Sequence, residues 1–129
     1  MSRSYTLTRT GSLLLTRAAV VGPAGTKVIN LLVDTGSTYT ILPVEVLESI
    51  GLSPAESEQH ERIATGSGYV IAPKVRVKSL STLGKEFRRV VVIAHTLPFG
   101  GPIDGLLGMD ILCRLKARIA VTKGTIDVD

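Results

Sequence analysis

Tryptophan is absent from this sequence, and aromatic residues make up only 4% of its 129 positions. The core must therefore be built from leucine, isoleucine and valine, and the β-branched share of that set suits strands. Cysteine occurs once, at Cys113, which excludes an internal disulfide and a multi-cysteine zinc site and fits a reducing compartment. No apolar run approaches the roughly 20 residues needed to cross a bilayer. The polar opening, residues 1–9, carries no apolar stretch of signal-peptide length. A soluble, cytoplasmic protein with no membrane partner is the expectation. The net charge is +4, but the basic residues are scattered. Arg88-Arg89 and the spaced set Arg114, Lys116 and Arg118 have no interleaved aromatics on which bases could stack. They read as solvated surface, with no nucleic-acid partner.

What is present fits one globular domain. Hydrophobic residues reach 44% and charged residues 20%, outside the disordered range. One stretch organises the rest. The apolar run of residues 28–33, broken only by Asn30, leads straight into Asp34, followed by Thr35, Gly36, Ser37 and Thr38 and then by Ile41 and Leu42. A carboxylate at the end of a buried strand is costly unless it is hydrogen-bonded or has a chemical task. Thr35 can donate and accept hydrogen bonds beside it, and Gly36 permits a sharp turn. About seventy residues later a second apolar segment ends in glycine: Gly105-Leu106-Leu107-Gly108, then Met109-Asp110-Ile111-Leu112.

Asp-Thr-Gly-Ser-Thr behind an apolar strand, a central glycine-rich hairpin and a later Leu-Leu-Gly before a short helix together resemble the retropepsin-like aspartic proteases. The resemblance spans residues 12–128 and rests on motif order. It implies an all-β, closed retropepsin-like barrel with one or two short helices and one lobe per chain. It also implies Asp34 as the catalytic residue, with Thr35, Gly36 and Ser37 supporting its loop. Gly66, Ser67, Gly68 and Tyr69 would form a flap over the substrate, with Tyr69 similar to the flap tyrosine of pepsin-like relatives. No metal and no cofactor are implied. Two positions depart from retroviral members. Those often pair an acidic residue two places after the motif glycine with a basic residue after the later glycine, and here the places hold Thr38 and Met109.

The residues read in order give a consistent outline. Residues 1–11 are expected to be an N-terminal arm, which in the resembled family would contribute to a dimer sheet, and 12–129 the protease domain. Strands are expected over 12–21 and 28–33, joined by the Gly22-Pro23-Ala24-Gly25 turn, and over 38–42. Pro43 can open a helix whose apolar positions Val44, Val46, Leu47 and Ile50 end at Gly51. Residues 54–61 read as a polar connection, and the spacing of Glu56, Glu58, His60 and Glu61 matches no metal site. Apolar segments 62–65 and 69–72 flank Gly66-Ser67-Gly68 as a hairpin. Further strands are expected over 74–78, 87–94 and 103–107, then a helix of about two turns from Met109, with Asp110 structural, and a closing hairpin over 117–128.

Aspartic protease chemistry needs two carboxylates sharing one proton, because two such close charges cannot both ionise. The chain carries Asp-Thr-Gly once and has about the length of one lobe. A symmetric homodimer acting on a peptide or protein substrate is therefore expected, hydrolysing peptide bonds through a water activated by paired Asp34 carboxylates. The alternative is a catalytically silent dimer of the same fold that binds peptides or scaffolds an assembly.

Overall fold

In a computed structural model that describes residues 2–65 and 67–129, the apolar strands wrap one main core. The first hairpin pairs β3 (Leu13–Gly22) with β4 (Gly25–Val33) in antiparallel register, from Leu15 opposite Leu32 to Gly22 opposite Gly25. Alternation along β3 buries Leu14, Ala18 and Val20, while β4 buries Ile29 and Leu31. The same sheet continues through β5 (Ile41–Leu42), β6 (His60–Thr65), β7 (Gly68–Arg76), β8 (Ser79–Thr82), β9 (Lys85–Arg88), β10 (Val91–Ala94) and β11 (Gly105–Leu107). They extend the sheet in the order β6-β7-β10-β5-β11-β4-β3-β8-β9. Two short helices, α1 (Val44–Ser49) and α2 (Met109–Arg114), cover the curled sheet and bury Val46, Leu47, Ile111 and Leu112. The architecture is all-β with two short helices.

The N-terminal segment supplies β1 (Arg3–Thr6) and β2 (Thr8–Thr10). Strand β1 pairs within its own chain with β13 (Thr125–Val128), which also pairs with β12 (Arg118–Ala120), while β2 pairs with β3. Leu7 between them is buried.

Several element bounds differ from the sequence expectation for local reasons. The expected strand over 38–42 shrinks to β5, because the backbone of residues 37–40 is drawn into hydrogen bonds with α2 and its N-terminal end. The expected strand over 87–94 is two strands, broken where Arg89 adopts a positive φ of 53°. Strand β8 was hidden in a polar Ser-Leu-Ser-Thr stretch and turns into β9 through Leu83 and Gly84, both with positive φ. The hairpin strand and the strand expected over 74–78 are one continuous β7, running through Pro73.

Candidate active site

The chain crosses from β4 to β5 through the Asp34 loop, and β11 lies between those two strands. It is parallel to β4, with Leu107 opposite Val33, and antiparallel to β5. This threading fixes the loop from both ends. The amide of Asp34 donates to the Leu107 carbonyl at 3.0 Å, and the amide of Met109 donates to the Ser37 carbonyl at 2.7 Å. Gly108 makes the close approach possible: a Cβ there would collide with the backbone carbonyl of Tyr39 and sit 3.0 Å from the Ser37 carbonyl oxygen. The Leu-Leu-Gly motif is thus the contact surface for the Asp-Thr-Gly loop.

A second layer of side chains locks that junction. Thr40 is fully buried. Its hydroxyl donates to Asp110 Oδ1 at 2.8 Å and accepts from the Gly108 amide at 3.1 Å, while its amide donates to Asp110 Oδ2 at 2.9 Å. Asp110 Oδ1 also accepts from the Ile111 amide. Both Asp110 oxygens are therefore committed to holding α2 against the loop, which is a bracing geometry.

Asp34 itself is only partly buried. Its Oδ1 accepts from the Gly36 amide at 2.9 Å, and among the described residues its Oδ2 receives no hydrogen bond. Thr35 is exposed at the surface beside it. Ser37 donates from its hydroxyl to the Tyr39 carbonyl at 2.6 Å and shapes the turn.

Asp34 stands at the boundary of two hollows. One is a cleft of about 790 Å³ lined by Gly36, Ser37, Thr38, Ile41, Ile63, Val70, His95, Leu97, Phe99 and Leu106 as well as by Asp34. The other, of about 480 Å³, lies on the far side of the loop against Thr35, Leu13, Val33, Ile119 and Val121. Leu13 and Val121 are 42% and 63% exposed, an apolar wall next to Thr35.

The hairpin β6–β7 roofs the first cleft. Ile63 opposite Val70 and Glu61 opposite Ala72 share one face, and Ile63 and Ala72 are buried against Ile41, Ile93 and Leu106. Arg62, Ala64, Tyr69 and Ile71 share the other face. Of the four residues expected at the tip, Ser67 and Tyr69 border the cleft, Gly68 adopts a φ of 128°, and Gly66 lies outside the described residues. Tyr69 is 70% exposed at the rim, with the Arg62 guanidinium 5.2 Å from its ring centroid.

Sequence reading missed the link between roof and floor. The Tyr39 hydroxyl donates to Glu61 Oε1 at 2.8 Å. Glu61 Oε2 accepts from the Arg62 amide, and Lys74 Nζ lies 4.0 Å from Oε1. The bond from Tyr39 lowers the Glu61 carboxyl from its ordinary value, against the opposing effect of burial and with smaller help from the Arg62 amide and Lys74. The same bond raises the Tyr39 hydroxyl, followed by burial and the negative charges of Glu61 and Asp110. No local pattern announces the pair, since Glu61 sits in a polar run twenty-two residues further on. Among the described residues, no cluster of three or more His, Cys, Asp or Glu side chains could hold a metal ion, and no helix is long and apolar enough to cross a membrane.

A carboxylate at a glycine turn, braced by a threaded strand and roofed by a hairpin, defines an aspartic-protease lobe. The sequence agrees: residues 18–111 match the aspartyl protease family, and the chain belongs to it. Comparison with curated proteins by sequence finds no match. Among solved structures, a retropepsin-like aspartic protease from Rickettsia conorii superposes with a TM-score of 0.74 at 22% identity, covering 99% of this chain and 91% of that one. The fold is retropepsin-like.

Proposed function

We propose that this chain is one half of a homodimeric aspartic endopeptidase in which Asp34 of each protomer meets its counterpart on a two-fold axis. The observation that carries the reading is a single family-motif carboxylate, with one oxygen free of hydrogen bonds from the described residues, at the boundary between a peptide-sized cleft and an exposed apolar wall. A second copy against that wall would cover Leu13 and Val121 and bring the second carboxylate. Two-fold contacts are self-complementary, so the same loop serves both sides. Thr35, exposed at the loop, is placed to brace its counterpart, while Gly36 and Ser37 line the cleft.

Two adjacent carboxylates hold one proton between them, and their titration belongs to the pair. The ionised member takes a proton from water as the water oxygen attacks the peptide carbonyl. The protonated member donates a hydrogen bond to that carbonyl oxygen, and a proton then passes to the leaving nitrogen as the C–N bond breaks. The pair supplies both acid and base, so the step calls on no cofactor. An extended peptide would lie between hairpin and floor, held by main-chain hydrogen bonds, with the hairpin tip near Ser67, Gly68 and Tyr69 closing over it. A reducing compartment such as the cytoplasm suits the exposed thiol of Cys113.

The test is cleavage of a mixed peptide library at mildly acidic and neutral pH by wild type and Asp34→Asn, with sedimentation of both. Asparagine keeps the shape but cannot share the proton. Wild type should cleave, and the variant should be dimeric and lose activity by a factor of about 10³ or more, the scale of removing a central catalytic group. A folded dimer that cleaves nothing would favour the peptide-binding scaffold instead, and cleavage by a monomer would defeat the paired-carboxylate mechanism.

A further inference from the structure

We infer that the hydrogen bond from Tyr39 to Glu61 is a strut that sets the height of the β6–β7 hairpin over Asp34, so that both residues position the flap for the reaction proposed above. The inference rests on that reading for its catalytic consequence, but not for its structural part.

The hairpin overhangs the body. Strand β7 pairs with β10 only through Lys74, Val75 and Arg76. From Gly68 to Pro73 its sheet partner is β6 alone, itself the edge of the sheet. A lone two-stranded ribbon is marginally stable in water, so its angle depends on what its inner face touches. Near the root of the hairpin that face makes two kinds of contact among residues 60–63 and 70–73. Ile63 and Ala72, with Val70 alongside, rest on the small apolar cluster of Ile41, Ile93 and Leu106. Such packing resists lifting but has no direction. Glu61 supplies the directional contact, through the 2.8 Å bond from Tyr39.

The floor end of the strut is rigid. Tyr39 lies between Ser37, whose hydroxyl binds the Tyr39 carbonyl, and Thr40, which is clamped to Asp110. The Tyr39 carbonyl is also the group against which Gly108 closes. The roof end is anchored twice, at the Arg62 amide and near Lys74 on the neighbouring strand. One side chain thus ties the loop that carries Asp34 to the root of the hairpin that covers it. Any movement of the hairpin tip, about five residues or roughly 16 Å further along the strand, is levered about this point.

Amide hydrogen exchange of β7 between Tyr69 and Ala72, together with steady-state kinetics, tests the strut in the full-length chain. Tyr39→Phe removes only the hydroxyl, and Glu61→Ala removes the acceptor. Each should speed exchange roughly three- to tenfold, the scale of one lost hydrogen bond. KM should rise by a similar factor, with kcat changed by less than about twofold, as for lost positioning of bound substrate. Glu61→Gln keeps a carbonyl oxygen to accept from Tyr39 and should restore both readouts to near wild type. Unchanged exchange in Tyr39→Phe would overturn the strut. Faster exchange with KM unmoved would overturn its positioning role. A wild type that cleaves no peptide would refute the protease reading, and the exchange rates would still decide whether the strut holds the hairpin.

Discussion

The floor of the cleft and its roof are built by opposite means. The floor is a junction where five backbone and side-chain hydrogen bonds join residues 108–110 to Ser37, Thr38 and Thr40, with a glycine where no Cβ fits. The roof is a ribbon with one sheet partner at its base and a handful of apolar contacts beneath it. Directional bonds in a buried setting would hold the Asp34 loop to the tolerance that the proposed sharing of a proton requires. A roof that, on the proposed function, admits and releases a peptide would be held less firmly, since mobile covering elements come from the less stable parts of a fold. On the proposed function, the difference would locate rigidity at the chemistry and freedom where substrate passes.

The sharpest way to break that contrast is at Gly108. Gly108→Ala puts a methyl group into the Tyr39 carbonyl, a backbone atom that cannot swing aside. Overpacking against backbone should cost about 3 kcal/mol, seen as a fall of roughly 10 °C in the thermal midpoint. A wild-type midpoint would mean that the threaded junction is softer than its contacts suggest.

Thr40→Val is a milder cut in the same place. The shape is nearly kept, but the Gly108 amide loses its acceptor and Asp110 loses a donor. Leaving buried polar groups unpaired should cost about 2 kcal/mol. Thermal unfolding measures the loss. Wild-type stability would show that water replaces the hydroxyl and that the floor is not sealed.

The legibility of the chain follows the same division. The floor motifs could be read because their chemistry is local. Asp34-Thr35-Gly36 declares a carboxylate at a turn, and Leu106-Leu107-Gly108 declares a buried strand ending where only glycine fits. The hairpin could be read from its glycines and flanking apolar residues. What stayed hidden depends on contacts between distant positions. Thr40 looks like one more polar residue in a strand, and only the fold brings it to Asp110, seventy residues away. Glu61 looks like part of a solvated run, and only the path of β6 sets it against Tyr39. The turn at 82–85 could be read from its glycine, but the break at Arg89 escaped because a non-glycine residue there adopts positive φ, which propensity does not announce.

The smallest expected effect concerns the join between the two regions, and its sign with pH can be worked out. Glu61 titrates lower in the folded chain than unfolded, because its charged form accepts the Tyr39 hydrogen bond. Its contribution to stability is therefore present above the ordinary carboxylate range and is lost as pH falls through the depressed folded value. Tyr39 titrates higher than its ordinary value of about 10, because its neutral form donates that bond. Its contribution is present below the ordinary value and is lost as pH rises through the raised one. The bond is thus complete across the neutral range and fails at both extremes. The difference in thermal midpoint between wild type and Tyr39→Phe should be largest near pH 7, amounting to only about a degree or two for a pair that is partly open to solvent. It should shrink towards zero below the carboxylate range and above that of tyrosine. A difference that held one value from acid to alkali would mean that the Tyr39 hydroxyl acts without the Glu61 carboxylate, and no difference at any pH would leave the joining of roof to floor to the ring packing that Tyr39→Phe keeps.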